Sequence, residues 1–73
     1  MATIRVKSEV VGKVWKIQAQ PGAAVGKDEA VMILECMKME IPVEAPRAGT
    51  LKELLVKEGD TVAEGQDVAI LEG

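Results

Sequence analysis

Val31-Met32-Ile33-Leu34-Glu35-Cys36-Met37-Lys38-Met39-Glu40 lies at the middle of the chain and decides how the rest of it is read. Its first four residues form a compact apolar run, too short for an ordinary helix and suited to a strand buried on both faces. Its last six form the seam between two copies of one pattern. Displaced by 37 positions, the interval from Gly12 to Gly49, the sequence aligns on itself without a gap. Gly22 falls on Gly59, Val25 on Val62, Val31 on Val68, and Ile33-Leu34-Glu35 on Ile70-Leu71-Glu72. Upstream, Ile4 falls on Ile41 and Val6 on Val43. A chain written twice implies a pseudo-twofold fold, with repeats over about residues 1–36 and 37–73 of a single domain. The seam is a natural place for an exposed turn, and Lys38 stands in it as a candidate attachment point.

Strands extend outward from this seam in both directions. Glu40 to Glu44 alternates Ile41 and Val43 around Pro42, whose missing N–H marks an edge strand or bulge. Thr3 to Lys7 alternates in the same way, with Ile4 and Val6 on one face. Gly12 to Ala19, carrying Val14, Trp15 and Ile17, reads as a strand, and Thr50 to Val56 is its counterpart. Asp67 to Leu71 matches Val31 to Leu34. Pro21-Gly22, Lys27-Asp28 and Glu58-Gly59-Asp60 read as turns, and Ala45 to Gly49 reads as a loop. Leu51, Leu54 and Leu55 have the spacing of a helix face, but the matching stretch Val14 to Gln20 is poor helix material, so both are read as strands. Many short strands between turns predict an all-β sandwich or small barrel, here with each half expected to contribute one sheet and Met37-Lys38-Met39 closing a hairpin.

Composition narrows the function classes. A 73-residue chain of this kind buries only about 60% of its unfolded surface, which leaves no room for a deep cleft. There is no Phe or Tyr and one Trp, so the core must be aliphatic, and Trp15 is expected as core or partial cover. Net charge is −3 with the signs interspersed, which gives no support to nucleic-acid binding. No apolar run approaches membrane-spanning length, and residues 1–7 lack the apolar middle of a signal peptide. With no His and one Cys, there is no imidazole base and no zinc ligand set. No phosphate-binding glycine loop occurs. Cys36 has no partner for an internal disulfide, which fits a reducing, cytoplasmic setting, and it reads as a small, partly buried filler. Met37 and Met39 read either as gap-filling residues or as shields of the turn. The chain carries no catalytic apparatus of its own. Met1 and Gly73 at the ends fit a standalone protein and an excised C-terminal domain alike.

Glu35-Cys36-Met37-Lys38-Met39 resembles the attachment motif of biotinyl domains, in which a lysine lies between two methionines. The whole-length repeat, roughly Ile4 to Leu71, is similar to the biotinyl/lipoyl attachment domain family. That resemblance implies a flattened β-barrel, or barrel-sandwich hybrid, of two quasi-identical four-stranded sheets with the lysine on a protruding hairpin. It implies covalent biotin on Lys38, with Met37 and Met39 as flanking recognition residues and Gly12 and Gly49 as paired glycines at strand starts. It further implies a non-catalytic biotin carboxyl carrier, loaded by biotin protein ligase from biotinyl-AMP. Such a carrier serves biotin carboxylase and carboxyltransferase in an acyl-CoA carboxylase of the acetyl- or propionyl-CoA type, as in fatty acid biosynthesis. Family members commonly have Ala or Ser at the place of Cys36, and a Pro-Met-Pro-Gly-like entry where this chain has Ser8-Glu9-Val10-Val11-Gly12. The gapless repeat leaves no room for an inserted thumb, so the resemblance is to the thumbless type. Two alternatives remain: a lipoyl carrier, whose tip is usually Asp-Lys-Ala, and an unmodified structural adaptor of the same fold.

An ordinary exposed lysine, with a pKa of about 10.4, is neutral in roughly one molecule in 2,500 at pH 7. Attack on an activated acyl group needs the neutral amine. The motif offers no second cation and no apolar pocket to activate it. Lys38 is therefore equipped as the substrate of a modifying enzyme and not as a catalyst.

Overall fold

In the computed structural model, which describes residues 3–73, the alternating stretches become eight strands and no helix forms among the described residues. They are β1 (Thr3–Lys7), β2 (Gly12–Ile17), β3 (Ala24–Val25), β4 (Ala30–Cys36), β5 (Met39–Glu44), β6 (Gly49–Leu54), β7 (Thr61–Val62) and β8 (Asp67–Glu72). The expected repeat begins at residues 1–2, which lie outside the described residues. The two-residue strands β3 and β7 are too short to carry an alternation that sequence could reveal.

Two four-stranded antiparallel sheets form, in the orders β1-β8-β6-β3 and β5-β4-β2-β7. Displacement by 37 residues carries β1, β3, β6 and β8 onto β5, β7, β2 and β4, so one sheet order becomes the other. The expectation that each half makes one sheet is therefore wrong: each sheet takes two strands from each half. The reason is local. Cys36 pairs with Met39, and so short a link can only join antiparallel neighbours. It holds β5 of the second half beside β4 of the first. Backbone bonds interlock the halves in the same symmetric way. The Gly22 N–H donates to Leu51 O at 2.7 Å and the Gly59 N–H to Val14 O at 2.8 Å.

Inward-facing residues of both sheets make an aliphatic core in which Met32, Leu34, Leu51, Leu71, Val6 and Val14 are fully buried. Burial follows the pleat except at bulges, and the bulges repeat with the halves. One lies between Val14 and Lys16 and its mate lies between Leu51 and Glu53. Each adds one residue to the strand, which is how Leu51 and Leu54 acquire the helix-like spacing of three. The bulge at Trp15 also turns its indole outward. Trp15 is 51% exposed and takes no part in the core, so of the two places expected for it the core one is ruled out. Val31 and Met32 are both wholly buried because another register shift falls between Ala30 and Met32. The strand expected over Thr50–Val56 ends at Leu54, where the Leu55 N–H turns to Val68 O at 3.0 Å. Pro42 lies on the edge strand β5, where its missing donor costs no ladder bond.

Candidate attachment site on the β4–β5 hairpin

The site is built from the base of the hairpin upward. Glu35 pairs with Glu40 and Cys36 with Met39, leaving Met37-Lys38 as a two-residue loop. Both loop residues have positive φ, 52° for Met37 and 63° for Lys38, as a type I′ turn requires. That turn twists with the strands, but its preferred residues are Asn and Gly. A non-glycine residue in this region costs about 1–2 kcal/mol. The flanking ladder holds the strained pair in place, and at its base Gly12 stands where β2 passes β4. A Cβ on Gly12 would meet the Glu35 carbonyl oxygen at 2.9 Å, and one on Gly49 would meet Glu72 O at 2.7 Å. Only glycine allows those approaches, so the paired glycines fix how closely each strand seats against its neighbour.

Lys38 is exposed at the apex. Met37 is 89% and Met39 63% exposed, so neither fills a gap in the core, whereas Met32 is wholly buried in it. The two flank the lysine in solvent as an apolar collar. Cys36 is partly buried and carries a free thiol, matching the filler role expected of it. Glu35 and Glu40 oppose each other directly on the outer face, with Lys13 next to Glu35 in the ladder. Like charges in direct opposition weaken a strand pair, so this arrangement is a local cost at the foot of the hairpin.

The chemistry available here is that of a presented amine. No group of three His, Cys, Asp or Glu able to hold a metal occurs among the described residues. A cleft of about 200 Å³ is lined by Glu9, Asp28, Ile41 and Pro46 among others, and its walls include neither Lys38 nor its flanking methionines. Two more open clefts, of about 410 and 440 Å³, are likewise lined by none of these three residues. Lys38 thus stands on a convex tip and lines none of these clefts. Sequence reading located Lys38, Met37 and Met39 at one turn, and the structure brings them together there. It missed the outward turn of Trp15, whose only signal was the bulge hidden in the Leu51–Leu54 spacing of the mate.

Comparison with known proteins follows the same lines. The biotin/lipoyl family described as "Biotin-requiring enzyme" matches residues 3–71. The "Biotin/lipoyl attachment protein" of Bacillus subtilis is 47% identical over 60 residues, covering 82% of this chain and 82% of that protein. A probable dihydrolipoyllysine-residue succinyltransferase component of the mitochondrial 2-oxoglutarate dehydrogenase complex of Schizosaccharomyces pombe is 53% identical over 53 residues. That match covers 73% of this chain, which spans only 12% of that relative's length. Among solved structures, the urea carboxylase of Kluyveromyces lactis matches with a TM-score of 0.92 and 35% identity. The match covers 99% of this chain and 6% of that one.

Proposed function

The chain belongs to the biotin/lipoyl attachment family, and on that premise we propose that it is a biotin carboxyl carrier with the cofactor joined to the amine of Lys38. The observation that carries this reading is a lone lysine at the apex of a type I′ turn, collared by two exposed methionines. The convex tip fits the group, since nothing in the fold crowds the amine and no cleft has to admit it. A biotin protein ligase supplies the activated acyl group and removes the proton. The neutral Lys38 amine attacks, an amide forms, and AMP leaves. Attached biotin supplies carboxyl transfer between a biotin carboxylase and a carboxyltransferase, here assigned to an acyl-CoA carboxylase of the acetyl- or propionyl-CoA type. The protein contributes position and no catalytic group of its own. A rigid hairpin raises the local concentration of the cofactor at each active site it visits.

A lipoyl carrier is the second reading, favoured by the similarity to the dihydrolipoyllysine-residue relative. Met-Lys-Met in place of Asp-Lys-Ala favours biotin. Intact mass and peptide mapping after coexpression with biotin protein ligase, and separately with a lipoate ligase, discriminate the two. We expect one biotinyl group on Lys38 and none in Lys38→Arg, which keeps the charge but lacks a competent amine. A lipoyl group alone would replace the biotin reading, and an unmodified chain in both would favour the adaptor.

A further inference from the structure

The pseudo-twofold relates the two sheets, so their outer faces can be compared position by position, and they are not alike. Among the described residues all three ion pairs lie on the β1-β8-β6-β3 sheet. Lys52 meets Glu72 at 3.0 Å, and Asp67 meets Arg5 at 3.2 Å and Lys7 at 3.3 Å. Their symmetry mates on the other sheet are Trp15 with Glu35, Ala30 with Pro42, and Ala30 with Glu44. Every cross-strand ion pair of one face is missing from the other, which is the face that leads up to Lys38.

What replaces the ion pairs is an apolar row of Trp15, Ile33 and Pro42 interrupted by Lys16, in which only Ile33 has an apolar mate, Ile70. Lys16 pairs with Ile33 and Ile33 with Pro42, and Trp15 bulges out beside Lys16. Nearer the tip lies a charged row, Lys13–Glu35–Glu40. With Lys38 this cluster is electrically balanced. Amide formation at Lys38 removes one positive charge and leaves Glu35 and Glu40 in excess. Loading therefore makes the tip end of the face more acidic by one charge, with Lys16 left as the cation beside the exposed indole.

We propose that the outer face of the β5-β4-β2-β7 sheet is the docking surface for the catalytic domain that carboxylates the loaded carrier, received through an apolar pocket for Trp15 and a basic rim opposite Glu35 and Glu40. The proposal rests on the carrier reading above. A second copy of the chain is the wrong occupant. The apolar row is three residues wide on a molecule of 36 × 19 × 18 Å, short of the roughly 800 Å² per partner typical of a stable dimer. A twofold contact along β4 would also set Glu35 against its own copy. A small apolar anchor within an acidic rim fits a brief encounter with a basic partner, and such encounters are steered by charge and weakened by salt.

The test uses the fully biotinylated chain as substrate of a purified biotin carboxylase with ATP and bicarbonate. Trp15→Lys installs the residue its mate position already carries. It should raise the KM for the carrier by about tenfold or more, as loss of a buried aromatic anchor does, with kcat within about threefold. Its initial rate with biotin protein ligase should stay within about twofold of the parent. The double variant Trp15→Lys with Lys52→Trp moves the indole to the other sheet and should leave KM raised. Trp15 is the only Trp, so its emission should shift to the blue on adding the carboxylase, more for the loaded than for the unloaded chain. An unchanged KM in Trp15→Lys, an equal loss with the ligase, or recovery in the double variant would overturn the docking face alone. A parent chain that is biotinylated but never carboxylated would overturn the carrier reading and this inference with it.

Discussion

Met37 and Lys38 share a backbone conformation, φ of 52° and 63°, that neither side chain favours. Strain of this kind persists where surrounding structure enforces it, and it collects at functional positions. Here it holds an amine at the apex of a ladder instead of letting it fold back along the strand. Met37→Asn should relax the turn and stabilise the unmodified protein by up to about 1 kcal/mol, read as a higher urea midpoint with unchanged slope. The same variant should be biotinylated more slowly, because the collar loses one methionine. A lowered midpoint would show that the turn is not strained at residue 37.

At the scale of strands, the seating of β2 on β4 and of β6 on β8 depends on two absent methyl groups. Gly12→Ala and Gly49→Ala each drive a Cβ into a backbone carbonyl, at 2.9 and 2.7 Å, and a strand backbone yields less than a side chain. Each should destabilise by about 1–3 kcal/mol, the usual cost of overpacking. Gly26→Ala is the control: its nearest neighbour is the Glu29 Oε1 atom at 3.6 Å, an ordinary contact, so the change should be near neutral. Equal effects at all three positions in thermal or urea unfolding would mean that glycine flexibility, and not close approach, explains the pair. The bulges belong to this scale too. They explain why Trp15 faces solvent although its strand is half core, and why a strand ending at Leu54 can imitate a helix in sequence.

For the molecule as a whole, the interleaved sheets forbid independent halves. Residues 3–36 alone would hold β1 and β3 without the β8 and β6 they pair with, and β4 without β5. Neither 3–36 nor 39–73 should show cooperative unfolding by circular dichroism when made separately. A fragment that melts cooperatively alone would mean that one half can be a sheet in its own right. The pseudo-twofold also separates architecture from use: the core repeats across the two sheets, whereas the ion pairs on one outer face and Trp15 and Pro42 on the other have no like mates.

The repeat, the all-β class, most strand positions and the single candidate lysine were legible from the residues. Each is written in local pattern: alternation along the strand, turn residues between strands, and a motif at the seam. The interleaving of the halves was not, because hydrophobic alternation says which side of a strand is buried but not which strand lies beside it. Likewise the places of Trp15, Met37 and Met39 depended on a bulge and on a turn projecting past the core. All three are apolar and all three are exposed, since the fold ends its core at Leu34 and Val43, short of the tip, and turns the bulge away from it. Sequence determined what could be buried; the tertiary register decided which of those residues had a neighbour to be buried against.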